Sequence, residues 1–116
     1  MRPKKHPEVA WRLEKGLYEI AWEKARRGED FEEIGVVTLL RAGAIHQLNL
    51  VGAEIWTRIN GVNTVERIAA AVAFLFDADP EAVLSDVKEF VRDIEEKGWI
   101  RPAGESGSAA SRWTSG

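Results

Sequence analysis

The spacing of apolar positions changes at Asn49. Before it, residues 44–48 read as a strand. After it, Val51, Ile55, Trp56 and Ile59 recur at three- and four-residue steps, as one buried helix face requires. Asn49 is placed to cap the first turn, because its side-chain oxygen can accept from a free amide there. Gly61 stands where a left-handed C-terminal cap would, so the pattern predicts a helix over 50–60.

On the N-terminal side, Val9, Trp11 and Leu13 alternate with Ala10, Arg12 and Glu14, which predicts a strand over 9–14. Residues 17–27 fit both periods; Lys24, Arg26 and Arg27 followed by Gly28 tip them towards a helix. Residues 35–40 are rich in β-branched types and form a further strand, turned at Arg41-Ala42-Gly43 into its hairpin partner 44–48. Beyond Gly61, a second bundle helix starts at Asn63 or Thr64, with Glu66 completing a capping box if Asn63 is the cap. Its apolar face is Val65, Ile68, Val72 and Leu75. A third helix has Asp79 as cap, Pro80 at its first position and Gly98 as terminator, with Val83, Val87, Phe90, Val91 and Ile94 as its stripe. Residues 99–102 leave that helix extended and are expected to pack back as a lid. Residues 1–8 are expected to fray.

The elements predict an α+β, winged-helix-like fold: a small three-stranded antiparallel sheet followed by a three-helix bundle. Its boundaries are those of one domain over 1–102, with a disordered Ser-, Gly- and Ala-rich tail over 103–116, in which Trp113 has no assigned role.

Composition narrows the chemistry. The chain has no cysteine among its 116 residues, which removes disulfides, thiolate nucleophiles and cysteine-held zinc or iron–sulphur clusters. The longest apolar run, residues 68–76, is about half of the ~20 residues a spanning helix needs. The basic start, Arg2-Pro3-Lys4-Lys5-His6, is followed by Glu8 rather than an apolar segment, so a signal peptide is not expected and the expected setting is cytoplasmic, without membrane.

Charge is unevenly distributed. Residues 1–49 carry nine basic and eight acidic side chains (+1), and residues 50–102 carry six and ten (−4). That bears on the alternative function, a winged helix-turn-helix DNA-binding regulator. The would-be recognition helix, 80–97, holds six acids against Lys88, Arg92 and Lys97, and phosphate would be repelled. No nucleic-acid partner is expected.

No catalytic constellation emerges. His6 and His46 have no second ligand at metal spacing, the serines lack a nucleophile-elbow setting, and no glycine loop could cradle a phosphate. The expectation is a non-enzyme with no metal and no cofactor.

The run TLL-RAG-AIHQLN-LVGAEIW-TRINGVNTVERIA, followed by DADPEAVLSDVKEFVRDIEEKGWI, resembles the PqqD family. The family's strand ending in Leu-Asn falls on Leu48-Asn49, its "aEIw" helix on Ala53 to Trp56, its "dG…tveeIa" turn on Asn60-Gly61 and Thr64 to Ile68, and its last helix on residues 83–100. The match covers about residues 36–101. Asn60 stands where the family usually has Asp, and residues 15–33 depart from the family as an insertion between the first two strands. That departure points to a divergent branch such as the PqqD-like chaperones of the GeoRSP type.

The resemblance implies a peptide chaperone, or recognition element, for ribosomally made and enzymatically modified peptides. It implies two partners: the leader of a precursor peptide, and a radical SAM/SPASM-type maturase that would supply the cluster this cysteine-free chain cannot hold. The leader would add as a strand between the third strand and the third bundle helix. Carried onto this chain, the peptide-binding residues are Ala44, Ile45, His46, Gln47 and Leu48 on the strand, with Leu84, Val87, Lys88, Val91 and Ile94 on the helix. Strand alternation fixes parity but not side, so which of these face peptide and which face core stays open, as does monomer against dimer.

Overall fold

The change of period at Asn49 is a strand-to-helix junction in the computed structural model, which describes residues 1–103. Residues 104–116, with nearly all of the expected tail and Trp113, lie outside the described residues. In chain order the elements are β1 (Pro3–Lys5), β2 (Ala10–Leu13), α1 (Lys15–Arg26), β3 (Val37–Arg41), β4 (Ala44–Leu48), α2 (Leu50–Trp56), α3 (Val65–Phe76), α4 (Pro80–Glu96) and β5 (Ile100–Pro102). The architecture is α+β, with a three-stranded antiparallel sheet and four helices, compatible with a small winged-helix-like fold. Two compact units divide it: Pro7–Thr57, and Met1–His6 with Arg58–Gly116.

The unit Pro7–Thr57 contains the sheet β2-β3-β4 and helices α1 and α2. Val36, Val37, Leu39, Leu48, Leu50, Ala53, Ile55 and Trp56 are buried there, and each fully buried aliphatic side chain contributes about 1.5–3 kcal/mol. The ambiguous segment 17–27 is helical. Ala21 is buried on one side of α1, while Leu17 and Ile20 remain exposed, and Gly28 at φ 73° ends it. Asn49 caps α2 as its residue type predicts, Oδ1 accepting from the Gly52 amide at 3.0 Å.

Helix α2 is shorter than the expected 50–60, because it stops at Trp56 with Thr57 as C-cap. Gly61 has the left-handed φ of 82° but caps no helix. It lies in a turn set by Asn60, whose Oδ1 accepts from the amides of Val62 and Asn63 at 2.9 Å each. The Gly61 amide donates to the Pro3 carbonyl.

In the unit Met1–His6 with Arg58–Gly116, α3 and α4 pack along one another. Thr64, not Asn63, caps α3, with Oγ1 accepting from the Arg67 amide at 3.1 Å. Asn63 instead donates its side-chain amide to the Arg58 carbonyl, so the capping box does not form. Of the expected stripe, Val65, Ile68 and Val72 are buried with Ala69 and Ala73, but Leu75 is partly exposed. Asp79 caps α4 by accepting from the Ala82 amide at 3.0 Å, and Gly98 (φ 86°) follows its end.

The expectation that residues 1–8 fray is corrected. β1 pairs antiparallel with β5, Pro3 with Pro102, Lys4 with Arg101 and Lys5 with Ile100. The amides of His6 and Ala103 extend the ladder to the carbonyls of Trp99 and Arg2. The segment expected to be a lid is therefore a strand, and backbone pairing rather than side-chain pattern secures the N-terminus.

Candidate functional site

β4 forms because a two-residue turn returns the chain beside β3. Ala42 and Gly43 have φ of 52° and 81°, the all-positive pair of a type I′ turn, whose twist matches that of the strands it joins. The register follows: Arg41 opposite Ala44, Leu40 opposite Ile45, Leu39 opposite His46, Thr38 opposite Gln47 and Val37 opposite Leu48.

In such a hairpin the pair flanking the turn exchanges both main-chain hydrogen bonds, and bonded and non-bonded pairs then alternate. Ala44, His46 and Leu48 therefore turn their main-chain groups towards β3. The Leu48 carbonyl, accepting from the Val36 amide at 2.8 Å, agrees with this parity. Ile45 and Gln47 direct their N–H and C=O groups the other way. Sheet order puts β4 at an edge, and among the described residues no strand lies beyond it. An edge of this kind offers donors and acceptors to any extended backbone.

Side chains follow the same alternation. Leu48 is buried and His46 half-buried on the inner face, with Leu39 and Val37. Ile45 is 69% exposed on the outer face, beside Leu40 at 45%. Ala44 and Gln47 are exposed. All five expected strand residues thus lie on one open edge, and the side each faces is now fixed.

The five expected helix residues lie along α4 in the other unit. Val87, Val91 and Ile94 are buried, Leu84 is partly exposed and Lys88 is exposed. Lys88 and Val91 line a cavity of about 250 Å³ with Met1, Val65, Glu66, Arg92 and Glu95.

One buried polar group was not singled out by residue type. Glu54 on α2 is 5% exposed, and its Oε2 accepts from Tyr18 Oη at 2.6 Å and Trp22 Nε1 at 2.9 Å. Tyr18 and Trp22 lie four residues apart on α1, the helical spacing that presents two donors on one face, and that spacing is the signal in the sequence that finds Glu54.

Among the described residues no group of three or more His, Asp or Glu is placed to hold a metal ion, and no helix is long and apolar enough to cross a membrane. What the β4 edge presents is a row of main-chain donors and acceptors at Ile45 and Gln47.

The family model of coenzyme PQQ synthesis protein D (PqqD) matches residues 31–100, from just before β3 to the start of β5. No curated protein and no solved structure matches the chain. β1, β2 and α1 precede the matched region. With well over half of its length covered, the chain belongs to the PqqD family, whose members are non-catalytic, peptide-binding accessory proteins that partner biosynthetic enzymes.

Proposed function

We propose that this protein is a cytoplasmic peptide chaperone that binds the leader of a ribosomally made precursor by strand addition along β4 and presents it to a radical SAM maturase. It does no chemistry itself. The observation that carries the reading is the parity of β4: Ile45 and Gln47 direct unshared main-chain donors and acceptors to an open edge, while Ala44, His46 and Leu48 hold the strand to β3. The reading rests on β4 alone; on α4, in the other unit, Val87, Val91 and Ile94 are buried while Leu84 is partly exposed and Lys88 exposed. Affinity comes from main-chain bonds, and selectivity from the side chains around them.

An amide chemical-shift titration with the cognate precursor tests this. The expected result is perturbation of residues 44–48, with slowed hydrogen exchange in β4. Shifts centred on 15–33 with β4 untouched would overturn it.

A further inference from the structure

The outer face of the sheet is sorted into rows. Ala10, Leu40 and Ile45 are cross-strand neighbours in register, and so are Arg12, Thr38 and Gln47. The first row is apolar and open to solvent: Ala10 is exposed, Leu40 is 45% exposed and Ile45 69%. The second row is polar, and Arg12 at its far end pairs with Glu14 at 2.8 Å. Both rows end at the β4 edge on Ile45 and Gln47, the two residues whose main-chain groups point outward.

We infer that the peptide added at this edge reads polar–x–apolar from its N- to its C-terminus, with the apolar side chain seated against Ile45 and Leu40 and the polar one beside Gln47 and Thr38. The inference rests on the strand-addition reading and deepens it by naming the substrate class. An antiparallel strand keeps the hydrogen-bonding pattern of this sheet, and its residue directly opposite Ile45 shares the outer face. Running antiparallel, the peptide meets Gln47 first and Ile45 two residues later. A β-branched or aromatic residue at the second place covers apolar surface that β4 leaves to water, and extends a row already formed by three strands. A Ser, Thr, Asn or Gln at the first can hydrogen-bond along the second row. The residue between them, x, faces the inner side, next to half-buried His46. Each matched pair should change affinity by about two- to fivefold.

The test uses a displayed library of random 12-residue peptides, selected against the full chain and against Ile45→Lys. Ile45 is exposed, so this change leaves the fold in place, which a thermal melt checks. The wild type should enrich polar–x–apolar, and Ile45→Lys should exchange the apolar residue for Asp or Glu while keeping the polar one. A selected peptide is then synthesised with its apolar residue N-methylated, and separately with x N-methylated. Only the first should lose binding, at least tenfold, because that N–H alone faces Ile45. Enrichment without exchange on Ile45→Lys overturns the row inference and leaves strand addition standing. Indifference to N-methylation of the apolar residue, or a library that yields no binder, counts against strand addition and the row inference with it.

Discussion

Tyr18 donates its hydroxyl to Glu54 Oε2 at 2.6 Å, and Trp22, one turn further along α1, donates its indole N–H to the same oxygen at 2.9 Å. A carboxylate as buried as Glu54 is tolerated because it is hydrogen-bonded, and the two bonds tie α1 to α2. Tyr18→Phe removes one donor and leaves the charge under-satisfied. It should cost about 1.5–3 kcal/mol in urea denaturation, and adding Trp22→Phe should cost more than the two single changes predict independently. An unchanged midpoint for Tyr18→Phe would mean that α1 is held by apolar packing alone.

Trp56 is fully buried, as its place on the apolar stripe of α2 predicts, and it meets Trp11 edge-to-face at 6.1 Å between ring centroids. Trp56→Ala should therefore cost about 3–5 kcal/mol by leaving a cavity, a large share of the ~5–15 kcal/mol of a typical domain. Trp11→Ala should cost much less, because Trp11 is 42% exposed and keeps only part of that contact. Chemical denaturation of both variants measures the difference.

Local signals carried most of the fold. Asn49, Asp79 and the Ala42-Gly43 turn each sit where their own backbone chemistry puts them, so strand β4 and the starts of α2 and α4 were legible residue by residue. The pairing of β1 with β5 was not, because two three-residue strands nearly a chain length apart leave no periodic trace, and Pro3 and Pro102 read as breakers. The end of α2 was misplaced for a related reason: Ile59 continues the helical spacing but is buried in the other unit, and Gly61 serves a turn made by Asn60. At the candidate site, alternation in the sequence supplied the strand but not its facing. The turn type decided that Ile45 and Gln47 point their main chain outward.

Ala42 is a non-glycine residue at φ 52°, a conformation L-residues adopt at some cost, in the turn that sets the register of β4. Ala42→Asn creates the Asn-Gly pair that type I′ turns favour, and should stabilise the protein by about 0.4–1 kcal/mol. Gly43→Val should do the opposite, since Gly43 sits at φ 81° and a β-branched residue is strained there whatever the space around it. Thermal melts of the two variants should move in opposite directions.

Lys5 donates to the Ile59 carbonyl at 2.6 Å from a half-buried position, and burial pushes its ammonium below the ordinary value of 10.5. The sign is that of a base whose folded form binds protons less readily than its unfolded form. Between the lowered value and 10.5 the unfolded chain holds more protons, so this group makes stability rise with pH across that window. Comparing the wild type with Lys5→Met in urea at pH 8 and pH 10.5 isolates the effect from the other titrating groups. The wild type should gain on the variant at the higher pH. A difference that stays constant would show that the Lys5 charge costs the fold nothing.

The parity of β4 gives the sharpest test of the binding edge, because proline at neighbouring positions should fail in different ways. Proline removes a main-chain donor and fixes φ near −65°, which an edge strand accepts only where the lost N–H pointed to solvent. At Ile45 and Gln47 that N–H points outward, so Ile45→Pro and Gln47→Pro should fold with stability within about 1 kcal/mol of the wild type. Both should lose precursor binding by tenfold or more in an anisotropy titration, since the deleted donor is one that an added strand would use. At His46 the N–H points to Leu39, so His46→Pro breaks the β3–β4 ladder and should cost about 1–3 kcal/mol or more of stability. Circular dichroism melts run beside the titrations separate the two kinds of failure. If Gln47→Pro folds normally and binds the precursor as the wild type does, the peptide does not add to β4, and the search for its site moves to the exposed edge of β2 or the outer side of α1.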